Sequence, residues 1–154
     1  MLMKLKWSGL ALVVLFSTLQ FVLPTKRATP GEHQNSPSVD SVVGPEVAAI
    51  LKRSCKDCHS NDTTWPWYSH IAPVSWMITK DVNKGREKLN FSDWVPGKQT
   101  ANQLEEICDA VSKGSMPLHG YTVLHRNAKL STHDVDLICD WADTQLARKQ
   151  PPLR

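Results

Sequence analysis

The chain has 154 residues, of which 41% are hydrophobic, 21% charged and 7% aromatic. This excludes a fibrous or largely disordered chain and leaves room for one domain with a modest core. Formal net charge is +3, yet residues 31–147 hold 11 Lys or Arg against 15 Asp or Glu, a net of −4. That stretch offers no basic face for nucleic acid, and no zinc-finger or helix-turn-helix signature is set against the balance.

Residues 1–23 read as a signal sequence or an uncleaved membrane anchor. Lys4 and Lys6 precede LALVVLFSTLQFVL, residues 10–23. A positive start followed by an apolar run is the pattern of a Sec-type signal. The run ends in Phe-Val-Leu-Pro with no small-x-small cleavage site, which favours retention as an anchor with the lysines inside. Residues 24–41, PTKRATPGEHQNSPSVDS, carry three Pro and one Gly without apolar periodicity. They read as a linker in which His33 faces solvent.

Four helices are expected beyond it. Gly44–Ser54 has Pro45 at its start and Val47, Ile50 and Leu51 as a stripe. Val74–Leu89 follows Pro73, with Ile71, Val74, Ile78 and Val82 as its apolar stripe. Ala101–Ser112 places Leu104, Ile107, Cys108 and Val111 on one face. Thr132–Ala147 starts at Ser131 with Asp134 three residues on, a relative of the capping box, and carries Val135, Ile138, Trp141, Ala142 and Leu146. Irregular segments are expected at 59–72, 90–100 and 114–130. No stretch shows strand alternation, so the class is all-α, with residues 42–147 as the domain and 148–154 as a basic tail.

The strongest motif is Cys55-Lys56-Asp57-Cys58-His59. CxxCH is the attachment sequence for c-type haem. Each thiol adds to one vinyl group, and the adjacent histidine becomes the proximal iron ligand. One haem c is therefore expected, attached through Cys55 and Cys58 with His59 on the iron. A zinc site would want a fourth ligand and a second ligand pair, and Cys108 and Cys139 lack that spacing. A redox dithiol would want a preceding strand.

Met116 is the favoured distal ligand among Met116, His70, His119, His125 and His133. It stands in Gly114-Ser115-Met116-Pro117, where the proline keeps it out of the helical region. A thioether there raises the reduction potential relative to a second histidine. Met77 reads as core. Tyr121 and His125 bracket a turn and suit bonds to backbone or to a propionate. Trp65, Trp67, Tyr68, Trp76, Trp94 and Trp141 are expected to cover the haem, with the Trp65-Pro66-Trp67 turn along one edge. Cys108 and Cys139 lie on helical faces, and both a disulfide and two buried thiols fit them.

The stretch from Cys55 to Trp94, CKDCHSNDTTWPWYSHIAPVSWMITKDVNKGREKLNFSDW, together with GSMPLHGYTVLHRNAKLS and the helix ending in DWAD, resembles the small exported haem-binding domain family. The resemblance implies a covalent haem in a cytochrome-c-like helical fold. Met116-Pro117 is also similar to the distal Met-Pro of mono-haem cytochromes c. Two function classes follow. One is a periplasmic one-electron carrier, tethered through the N-terminal helix and docking with membrane-associated redox proteins, without bond-making chemistry. The other is a haem-based sensor or weakly peroxidatic protein with an open or displaceable distal site.

Overall fold

A computed structural model describes residues 2–22, 43–95, 99 and 101–148. Every regular element among them is helical. The order is α1 (Leu2–Leu19), α2 (Pro45–Ser54), α3 (Lys56–His59), α4 (Val74–Lys88), α5 (Ala101–Ser112), α6 (His119–Leu124) and α7 (Thr132–Ala147). Three 3-10 turns, Trp67–His70, Phe91–Asp93 and Arg126–Ala128, lie between them. The segments expected to be irregular thus contain α6 and the three turns, while α3 winds the Cys55–His59 motif itself. Each is too short to display a hydrophobic period. The linker at 24–41 and the tail past residue 148 lie outside the described residues.

The core forms where α7 packs on α5 and α2. One cluster joins Val43, Val47 and Leu51 to Phe91, Trp94, Leu104, Trp141 and Ala142. A second joins Ile50, Val111 and Ile138. Leu104 and Ile138 are fully buried, each worth roughly 2 kcal/mol of apolar transfer. Trp94 and Trp141 pack ring against ring at 5.4 Å, so these two indoles fill the helical core.

Cys108 on α5 and Cys139 on α7 form a disulfide, which resolves the two readings of that pair. The cross-link closes a loop whose ends are 31 residues apart. Helix α7 begins on a full capping box. Asp134 N–H donates to Ser131 Oγ at 3.2 Å, and Ser131 N–H donates back to Asp134 Oδ2 at 2.8 Å. Arg53, at the end of α2, pairs with the same carboxylate at 2.7 Å and donates to the Asn127 carbonyl at 3.2 Å. One guanidinium thus ties α2 to α7 and to the 126–128 turn.

Two expectations change. Helix α4 occupies its expected span but buries Ser75, Thr79, Val82 and Gly85. Ile71 and Val74 stay at the surface and Met77 is 63% exposed. Small side chains let α4 approach its neighbours closely, and that contact outweighs the apolar stripe. Met77 is therefore a surface residue and not part of the core. At the other end of the chain, α1 stops at Leu19, before the apolar run does. Leu12, Val13, Leu15 and Phe16 are exposed and join neither core cluster. No helix among the described residues is long and apolar enough to cross a membrane. The end of α1 meets the domain through Gln20, which accepts from Ala72 N–H at 3.0 Å, and through Val22, whose carbonyl accepts from Trp76 Nε1 at 2.9 Å.

Two stability tests follow. Reducing Cys108–Cys139 is expected to lower the unfolding free energy by roughly 3–4 kcal/mol, read by urea titration with and without reductant. Burial pushes the Asp134 carboxyl up, but the Ser131 bonds and Arg53 outweigh it and bring it down to about 2 from 3.8. This contribution is complete above pH 4 and is lost as pH falls towards 2. Asp134→Asn should flatten stability across that window and cost about 1 kcal/mol at neutral pH.

Candidate haem-attachment site

Helix α2 hands the chain directly to the turn that carries the CxxCH motif. Cys55 N–H donates to the Leu51 carbonyl at 2.9 Å, closing α2. The Cys55 carbonyl then accepts from Cys58 N–H at 3.2 Å and His59 N–H at 3.0 Å, which winds α3. Spacings of three and four residues on a helical turn bring Cys55, Cys58 and His59 to one side. Both cysteines are unpaired and partly buried. Burial and then Cys58 push the Cys55 thiol up to about 12, against the pull of Arg53. Burial and then the Asp57 and Asp81 carboxylates push Cys58 up to about 11, with Arg86 opposing. Both are therefore neutral thiols near pH 7.

His59 is oriented by α4 and the residue after it. Its Nδ1 lies 3.0 Å from the Leu89 carbonyl oxygen. A carbonyl can only accept, so Nδ1 carries the proton and Nε2 keeps its lone pair. Burial holds the imidazole below its ordinary pKa, although the Leu89 and Gly85 carbonyls pull the other way. A neutral imidazole with its second nitrogen tied to backbone is the arrangement found at metal-ligating histidines. Phe91 packs on the His59 ring at 6.1 Å and on Trp94 at 6.0 Å, linking the site to the core.

Gly85 permits this approach. A Cβ there would lie 2.5 Å from the Cys58 carbonyl oxygen and 3.2 Å from its carbon. Glycine weakens a helix by about 1 kcal/mol relative to alanine, and the close contact of α3 with α4 is what it gives in return. On the other side, Arg86 donates to the Ser60 carbonyl at 2.7 Å and to Thr63 Oγ1 at 2.8 Å, fixing the chain just after His59.

The expected residues scatter more widely than the motif. Met116 is 36% exposed, in the non-helical link between α5 and α6. Trp65 is half-buried, and Trp67 is 75% exposed and edge-on to Tyr68. His119 and His133 are exposed at the starts of α6 and α7, and His70 is exposed at the end of its 3-10 turn. His125 is engaged by protein, with Nε2 at 2.5 Å from the Tyr68 hydroxyl and its ring stacked on Tyr121 at 4.2 Å. The Tyr121 hydroxyl donates to Asp57 Oδ2 at 2.8 Å, inside the attachment motif. Burial first, and then Asp57, raise the Tyr121 pKa. Both partners are thus side chains of this domain, where a backbone or propionate bond was expected. Pairings across 57 and 64 residues leave no periodic trace in the sequence.

Gly85→Ala is expected to lower the unfolding free energy by about 1–3 kcal/mol through overpacking against Cys58. Gly120→Ala has no atom within 4 Å of its new Cβ and serves as a near-neutral control. Thermal unfolding of the two variants makes the comparison.

The family model for the haem-binding domain matches residues 14–144. No curated protein and no solved structure matches the chain. The residues at the site suit the group that the family name specifies: two neighbouring thiols able to form thioethers, and an imidazole with one nitrogen tethered and the other available. The chain belongs to the haem-binding domain family.

Proposed function

We propose that this is a periplasmic c-type haem protein acting as a one-electron carrier with His/Met-ligated iron. The observation that carries the reading is the His59 Nδ1–Leu89 carbonyl bond, made in the same helical turn that presents two unpaired thiols. Cys55 and Cys58 would hold the haem through thioether bonds, and His59 Nε2 would be the proximal ligand. Met116 would be the distal ligand, since its thioether needs no deprotonation and its loop is held short of the helical region. Trp65 and Trp67 would flank the ring edge, on the segment whose Tyr68 reaches His125.

When bound, haem supplies a one-electron couple at its iron. The chain's own part is to fix ligand orientation, to keep His59 neutral and to limit water. The Leu89 carbonyl does the first, and burial together with Phe91 does the others. Export is supported by the Lys4 and Lys6 start, by an apolar α1 with no place in the core, and by a disulfide suited to an oxidising compartment. The excess of acidic residues over 31–147 favours redox partners with a cationic docking face, including membrane-associated ones.

Haem should survive acid–organic extraction of the wild-type protein and be lost from the Cys55→Ala/Cys58→Ala double variant, read as an alkaline pyridine spectrum. Extractable haem in the wild type would overturn covalent attachment. Met116→Ala is expected to remove the ferric Met–iron charge-transfer band and lower the reduction potential. Rapid carbon monoxide binding by the native ferrous protein would instead favour a sensor or peroxidatic protein with an open distal site.

A further inference from the structure

The segment that carries Met116 is short and is fixed on both sides. Upstream, α5 ends at Ser112 and is followed by Gly114, whose φ of +65° suits glycine. Gly114 N–H donates to the Val111 carbonyl at 3.1 Å, while Ser115 and Met116 N–H both donate to the Ala110 carbonyl, at 3.0 and 3.2 Å. Downstream, Tyr121 lies five residues beyond Met116 and donates its hydroxyl to Asp57. Asp57 stands between Cys55 and Cys58, and its other oxygen accepts from Thr64 N–H at 3.1 Å.

The contacts then continue round the site. Tyr121 stacks on His125 with 11° between the ring planes, and His125 joins the Tyr68 hydroxyl. Tyr68 belongs to the 67–70 turn, which packs on α4. Helix α4 packs on α3, and Gly85 is the point that meets Cys58. The circuit starts at Asp57 and returns to the neighbouring residue.

We propose that Tyr121 is a positioning residue: its bond to Asp57 holds the Met116 loop against the attachment turn and strengthens Met116 as the distal ligand. This rests on the reading of Met116 as that ligand. The stack with His125 restricts the Tyr121 ring, and the His125–Tyr68 bond restrains the stack. Losing the hydroxyl frees the downstream end of the loop while the Gly114 end stays fixed.

The test uses the full-length, haem-loaded protein. Tyr121→Phe keeps the ring and removes the hydroxyl. Covalent haem content should stay at the wild-type level, the ferric Met–iron band should weaken, and added imidazole should bind about tenfold more tightly. Tyr68→Phe, at the far end of the chain of contacts, should tighten imidazole by about threefold. Wild-type band and imidazole affinity in Tyr121→Phe would overturn the proposal even if its unfolding temperature fell, because a merely structural tyrosine changes stability alone. If Tyr121→Phe fails to fold, wild-type imidazole affinity in Tyr68→Phe overturns it. If Met116→Ala abolishes the band while Tyr121→Phe leaves it intact, Met116 stands as ligand and the positioning role fails. A band that persists in Met116→Ala overturns both.

Discussion

The missing side chain at Gly85 sets how closely α4 can approach the attachment turn, and the site depends on that distance. With hydrogen in place of a methyl group, α4 lies against the Cys58 carbonyl. Its C-terminal end then delivers the Leu89 carbonyl to His59 Nδ1, and the same end fixes Leu89 through its N–H bond to the Gly85 carbonyl at 2.9 Å. A single backbone approach therefore decides the tautomer of the imidazole, its direction and the availability of its other nitrogen. Packing between two helices thus fixes the imidazole, and Arg86 on the same helix holds the chain just after it.

The helical domain and the site are built on different principles. Where α2, α5 and α7 meet, apolar side chains are buried in the ordinary way, and a disulfide and a shared guanidinium secure the arrangement. Around α3 the contacts are hydrogen bonds and a close backbone approach, with few buried apolar residues. Phe91 spans the two regions, touching His59 on one side and Trp94 on the other.

The legible parts of the sequence were those governed by local rules. The spans of α2, α5 and α7 follow from stripe and cap residues, and Ser131 with Asp134 announces the start of α7. The CxxCH spacing alone marks the turn from Cys55 to His59 as the candidate site. Helix α4 was legible in extent but not in facing, because Ser75, Thr79 and Gly85 are buried for their small size, and hydrophobicity does not report size. Helices α3 and α6 were hidden because neither is long enough to repeat. The tyrosines were hidden for another reason: Tyr121 meets Asp57 and Tyr68 meets His125 only once the chain has folded back on itself.

The Cys108–Cys139 bond also bears on how the four cysteines are sorted. Four thiols can be joined into two disulfides in three ways, and two of those would pair both Cys55 and Cys58 with Cys108 and Cys139. Once α5 and α7 are linked, neither mispairing has a free partner. What remains for Cys55 and Cys58 is a single local choice, between each other and an outside electrophile. The cross-link between α5 and α7 thereby leaves Cys55 and Cys58 as the one pair of free thiols, side by side on one turn.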